Sequence, residues 1–154
     1  MTKRGLIVIG LLVSSVASAN GSNGQKYQLA SKSGPECFID LPSAFVDDTG
    51  TASNVGDVVT VSFGQGGVSV TNSNPDSPTT EDFTAGPEHF GGEISVDTVG
   101  KFLSDNTFEL KETDNMSGGS ETITFTKSGE TLTTEIVFSG GNQVFSHCVF
   151  SAIN

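Results

Sequence analysis

From Thr107 to the end of the chain, apolar and polar residues take turns. Ile123 and Phe125 alternate with Thr122, Thr124 and Thr126, and Leu132, Thr134, Ile136 and Phe138 alternate with Thr131, Thr133, Glu135 and Val137. A period of two puts one set of side chains on each face of an extended strand, whereas a helix would scatter both sets around its surface. Breaks occur at Asn115–Gly119, Ser128–Gly129 and Gly140–Asn142, residue types that supply turns. The expectation is a run of antiparallel hairpins, with strands over Thr107–Glu112, Glu121–Lys127, Thr131–Ser139 and Gln143–Ile153, each beside the next. On the last strand, Val144, Ser146, Cys148 and Phe150 share a side.

The first half reads the same way with less regularity. Strands are expected over Lys26–Ala30, Glu36–Leu41 (Cys37, Ile39 and Leu41 on one face), Val58–Phe63, Val68–Thr71 and Gly92–Val96, with a turn at Gly64–Gly67. Asn72 to Pro87, with Pro75, Pro78 and Pro87, reads as a long acidic loop, and Asp97–Asp105 as a segment with room for one helical turn. About nine strands with turns at short intervals make an all-β meander, closing into a small barrel if the first strands pair with the last. A β-sandwich is the alternative.

Met1 to Ala19 stands apart. Lys3 and Arg4 precede an apolar run from Gly5 to Val16, and Ala17-Ser18-Ala19 follows. This order is that of a secretory signal peptide cut after Ala19, and the run is too short for the roughly 20 residues that span a bilayer. The expected destination is the periplasm or the medium of a bacterium, with residues 20–154 as one domain and no membrane insertion after cleavage. Removing Lys3 and Arg4 takes the formal charge from −11 to −13. So acidic a surface excludes nucleic acid as a partner, because phosphates are met by Lys and Arg. In an oxidising compartment Cys37 and Cys148 are expected to pair, tying the first strands to the last across 111 residues.

The layout of Thr107–Ile153, strand, Ser128-Gly129, strand, Gly140-Gly141, strand, resembles the closing meander of bacterial lipocalin-like, calycin-type barrel domains. The resemblance covers the C-terminal third. It implies a β-barrel that carries one small apolar ligand. That family's Gly-x-Trp near the first strand has no match in this chain, which has no Trp; Gly24-Gln25-Lys26-Tyr27 is the nearest approach, and the resemblance transfers no site residues.

Catalytic chemistry finds little to work with. There are two histidines, His89 and His147, and no Gly-x-Ser-x-Gly or His-Glu-x-x-His pattern. His147 is expected to face solvent on the side of its strand opposite Cys148. Glu88, His89 and Glu93 could converge on a cation, but the flanking glycines and proline are better explained by a turn, and Asp47, Asp48, Asn54 and Asp57 form an oxygen-rich loop without a calcium-loop spacing. No catalytic residue, metal site or cofactor is therefore assigned. The expected function is non-catalytic binding: a small apolar ligand in the barrel, its eleven Phe serving equally as plain core. The alternative is an interaction protein or inhibitor that docks on another exported protein through its loops, the Asn72–Glu88 segment above all.

Overall fold

A computed structural model describes residues 24–41, 52–72, 79–139 and 144–154. Within them ten strands form one antiparallel sheet: β1 (Gln25–Ser33), β2 (Val58–Gly64), β3 (Gly67–Asn72), β4 (Thr80–Thr84), β5 (Gly86–Phe90), β6 (Val96–Ser104), β7 (Thr107–Asp114), β8 (Ser120–Ser128), β9 (Thr131–Phe138) and β10 (Val144–Ala152). Their spatial order is β4-β3-β2-β1-β10-β9-β8-β7-β6-β5. The four last strands are sequential neighbours, and β1 pairs with β10 from Tyr27–Ala152 to Ser33–His147, so first and last strands meet as expected. The described residues contain no helix long and apolar enough to cross a membrane.

The sheet curls into a barrel, but its ladder stays open between β4 and β5. These edge strands are joined through Ala85 alone. The curl brings β6 back against the end of β4: a Cβ placed on Gly100 would sit 2.0 Å from the Thr84 carbonyl oxygen. Only a residue without a side chain lets the two backbones approach this closely.

Several expectations are corrected here. The expected loop over Asn72–Pro87 contains β4 and the start of β5, leaving 73–78 outside the described residues. Asp97–Asp105 holds no helical turn; it is the body of β6, while Gly92–Ser95 lies outside the ladder. Glu36–Leu41 is not a strand. Gly34 takes a φ of +88°, and a Cβ there would lie 2.3 Å from the Phe145 carbonyl oxygen, so the chain turns sharply inward. Residues 36–41 then enter the barrel as a plug, with Cys37, Phe38, Ile39 and Leu41 all buried. Burial of Phe38 as well as its neighbours rules out the one-sided pattern of a strand. Val144 departs from its expected side because a bulge between Val144 and Ser146 shifts the register of β10.

Inside, the inward sets meet. Tyr27 and Leu29, Val59 and Val61, Val68 and Val70, Phe108 and Leu110, Ile123 and Phe125, Leu132 and Ile136 are all essentially solvent-free. Phe125 lies at the centre, with ring centroids at 4.8 Å from Phe83, 6.0 Å from Phe38 and 6.4 Å from Phe108; Phe38 also packs on Phe150 at 5.7 Å. Each such ring contributes about 2–3 kcal/mol by leaving water. The half of the barrel towards the β2–β3, β6–β7 and β8–β9 turns is thus filled by aromatic rings, and the plug rests on them.

Candidate functional site

The opposite end, where β3–β4, β5–β6, β7–β8 and β9–β10 connect, is different in chemistry. Antiparallel partners share a face, so register alone places a row of side chains across this mouth. The row runs Glu88–Thr98–Glu112–Glu121–Phe138 across β5, β6, β7, β8 and β9. Glu112 shares the inward parity of Phe108 and Leu110, and Glu121 that of Ile123 and Phe125. On β4, Glu81 pairs with buried Val70 and lies on the same inner face.

The plug faces these acids. Its Leu41 N–H donates to Glu81 Oε1 at 2.7 Å, and its Glu36 N–H donates to Ser146 Oγ at 3.3 Å. Cys37 is joined to Cys148 of β10. The bridge expected from sequence is present, but it ties the plug to the last strand rather than strand to strand.

The electrostatics follow from burial without cations. Burial pushes the Glu81 carboxyl up to about 7; the Leu41 N–H opposes the rise, while Asp40 and Glu112 add to it. Glu112 is likewise pushed up to about 7, first by burial and then by the charges of Glu121, Asp114 and Asp40. Glu121 is raised by burial, then by Glu36 and Asp40. Asp114 goes the other way, held down by the Ser117 hydroxyl and the Met116 N–H. Among the described residues none of Glu81, Glu112 and Glu121 has an ion-pair partner. Lys101 pairs with Glu109, Lys111 alternates with inward Leu110 and Glu112 and is exposed, and Lys26 and Lys127 are exposed. Lys32 gives its ammonium to the carbonyls of Pro35 (3.0 Å) and Ser53 (2.6 Å). Two polar atoms in the row are buried without a partner among the described residues, Thr98 Oγ1 and Glu112 Oε2. A groove of about 240 Å³ opens beside Glu112, lined by it with Asp114, Ser120, Glu121 and Phe138; Thr98 on β6 is the cross-strand neighbour of Glu112 and not part of the lining.

The residues singled out from sequence fall elsewhere. His147 lies on the outer side and meets Glu135 Oε1 at 2.9 Å. His89 hydrogen-bonds Asp97, which also accepts from Asn115 Nδ2 at 2.9 Å. Glu88 and His89 are consecutive residues of β5 and face opposite sides, so the Glu88–His89–Glu93 set does not converge. Asp57 accepts the Asn54 N–H at 2.8 Å, closing its loop; Asp47 and Asp48 lie outside the described residues. Among the described residues no group of three or more His, Cys, Asp or Glu is placed to hold a metal ion. Sequence reasoning missed Glu81, Thr98, Glu112 and Glu121. The signal for the two β7–β8 acids was parity, since both continue an apolar alternation inward.

Solved structures share this architecture. The fold is that of the fatty-acid-binding proteins. The Schistosoma mansoni fatty acid binding protein in complex with arachidonic acid superposes with a TM-score of 0.54 at 14% identity, covering 87% of this chain and 98% of its own. The fatty-acid-binding protein of Drosophila melanogaster brain gives 0.54 at 17%, covering 84% and 98%, and that of Manduca sexta 0.51 at 18%, covering 84% and 98%. The likeness spans most of the chain, not the C-terminal third alone. No protein-family model and no curated protein matches the sequence.

Proposed function

We propose that this protein is an exported, non-catalytic binding protein that takes a small ligand with an apolar part at the plugged mouth of its barrel. The observation that carries the reading is the asymmetry of the barrel. At one end Phe rings fill the interior, and the groove there, about 540 Å³ between Phe63 and Phe102, is lined by one acid, Asp105; at the other a groove of about 240 Å³ opens between an apolar wall at Phe138 and a row of half-buried polar groups that includes Glu112 and Glu121. Concave sites of this kind, mostly apolar with a few convergent polar groups, are where small molecules bind. The fold likeness to fatty-acid carriers supports a carrier role and gives no support to catalysis. The signal-like leader, Lys3 and Arg4 followed by Gly5–Val16 and Ala17-Ser18-Ala19, supports export to the periplasm or medium.

Native mass spectrometry of the protein purified from its own host tests this. An excess of roughly a few hundred daltons, lost on denaturation, is expected for a ligand of the size such sites enclose. No excess, together with no binding of a neutral polarity-sensitive dye, refutes it. Docking on another exported protein is a second reading. It is favoured by the exposed Val99, Phe102 and Leu103 of β6, beside a groove lined by Phe63 and Phe102 at the far end of the barrel.

A further inference from the structure

Resting on the binding reading above, we infer that the mouth selects a ligand with a cationic nitrogen head, an alkylammonium with an apolar tail, and rejects the carboxylate of the same tail. Three observations converge on it. The first is sign. Glu81, Glu112 and Glu121 on β4, β7 and β8, with Glu36 and Asp40 on the plug, make the mouth acidic from both wall and plug. Every lysine beyond the leader is exposed, paired with Glu109 or bound to backbone carbonyls. An anionic head would enter a field of its own sign with no cation to receive it, which costs affinity for any carboxylate.

The second is an unfilled hydrogen-bonding position. Thr98 is 1% exposed, is the direct cross-strand partner of Glu112 and stands on the same inner face. Its hydroxyl and the neighbouring Glu112 Oε2 both lack partners among the described residues. A buried carboxylate oxygen without a donor is costly, and an ammonium supplies up to three N–H donors at one point. The third is the shape of the alternative. A bare metal ion would need several oxygen ligands arranged around it, and the described residues contain no such group. Phe138 and Phe145, edge to face at 4.5 Å and both partly exposed, offer the tail an apolar surface at the rim.

The raised carboxyls add a pH signature. Glu81 and Glu112 shed their protons near pH 7, so the negative field that draws the cation strengthens as pH rises from 6 to 8.

The test uses three ligands with one eight-carbon tail, octylamine, octanoate and octanol, titrated calorimetrically into the full-length mature protein at pH 8. Octylamine is expected to bind at least about tenfold tighter than octanoate, the size of effect a charge-assisted hydrogen bond carries. In Glu112→Gln and Glu121→Gln that preference is expected to shrink severalfold while octanol affinity holds. Glu130→Gln, the same charge change at the opposite end, leaves the preference intact, which separates the site from net charge. Octylamine affinity rises from pH 6 to pH 8 and octanol affinity does not. Equal affinities for amine and carboxylate, or a preference equally reduced by Glu130→Gln, overturn the head-group inference while octanol binding still upholds the binding reading. Binding of none of the three overturns both.

Discussion

The burial of Glu81 at the mouth makes a pH dependence of stability that runs opposite to the common one. Most native carboxyls are stabilised in their charged form, so stability is lost in acid. Glu81 is stabilised as the acid, with its folded value pushed from 4.5 to about 7 by burial and then by Asp40 and Glu112. Between those values the folded chain binds more protons than the unfolded chain. Stability must then fall as pH rises through that window and level off above it. Taken in full, a change of that size corresponds to about 3 kcal/mol. The mouth is open to water on one side, which screens the acids from one another, so about 1–2 kcal/mol is the expected contribution of Glu81. Glu81→Gln removes the charge and keeps an oxygen to accept the Leu41 N–H. Thermal unfolding by circular dichroism from pH 4.5 to 8.5 should show the two proteins alike at pH 4.5. At pH 8 the variant should melt about 5 °C higher, at roughly 2–4 °C per kcal/mol for a domain of this size. Its remaining slope belongs to Glu112 and Glu121. Asp97 and Asp114, whose values are lowered, act only at the acid end and leave this window untouched. Parallel profiles for the two proteins, or a wild-type stability that climbs from pH 5 to 7, would refute the reasoning.

Replacing Cys37 and Cys148 together by Ala should lower stability to urea by about 4–5 kcal/mol, because the bridge closes a loop of 111 residues in the unfolded chain. Phe38→Ala, which strips the plug of its contacts with Phe125 and Phe150, should cost about 3–5 kcal/mol by the same assay and leave the secondary structure intact. Gly100→Ala forces a methyl into the Thr84 carbonyl and should cost at least about 2 kcal/mol, seen as a lower midpoint of unfolding. Thr134→Val replaces a buried hydroxyl that has no partner among the described residues, and should be neutral or stabilising by up to about 1 kcal/mol.

How much of this was legible depends on what each strand had to satisfy. β7 to β10 could be read because one face is apolar and the other wet, so the alternation of Ile123 and Phe125 or of Leu132 and Ile136 survives in the sequence. β4 could not: Thr80-Glu81-Asp82-Phe83-Thr84 carries one apolar residue, and its inward acid is accommodated by the plug, a contact across forty residues. β6 was obscured because its inward positions at Thr98 and Gly100 are small or polar, set by the acid row and by the approach to Thr84. The plug imitated a strand because Cys37, Ile39 and Leu41 are buried at spacing two; Phe38, buried between them, shows a segment surrounded on all sides. The acids of the mouth read as solvated strand ends, and only the register across β6 to β9 brings them together. The leader and the Asp47–Asp48 loop lie outside the described residues.

The open seam between β4 and β5 has a further consequence, for association. Two strand edges with free backbone groups are what neighbouring chains add to when proteins aggregate. Here both edges are five residues long. They carry Glu81, Asp82 and Glu88, and Pro87, which has no N–H to donate. An incoming strand would find few bonds to make and like charge along the way. The barrel can therefore stay unlaced on one side at high concentration without becoming a template for its own copies.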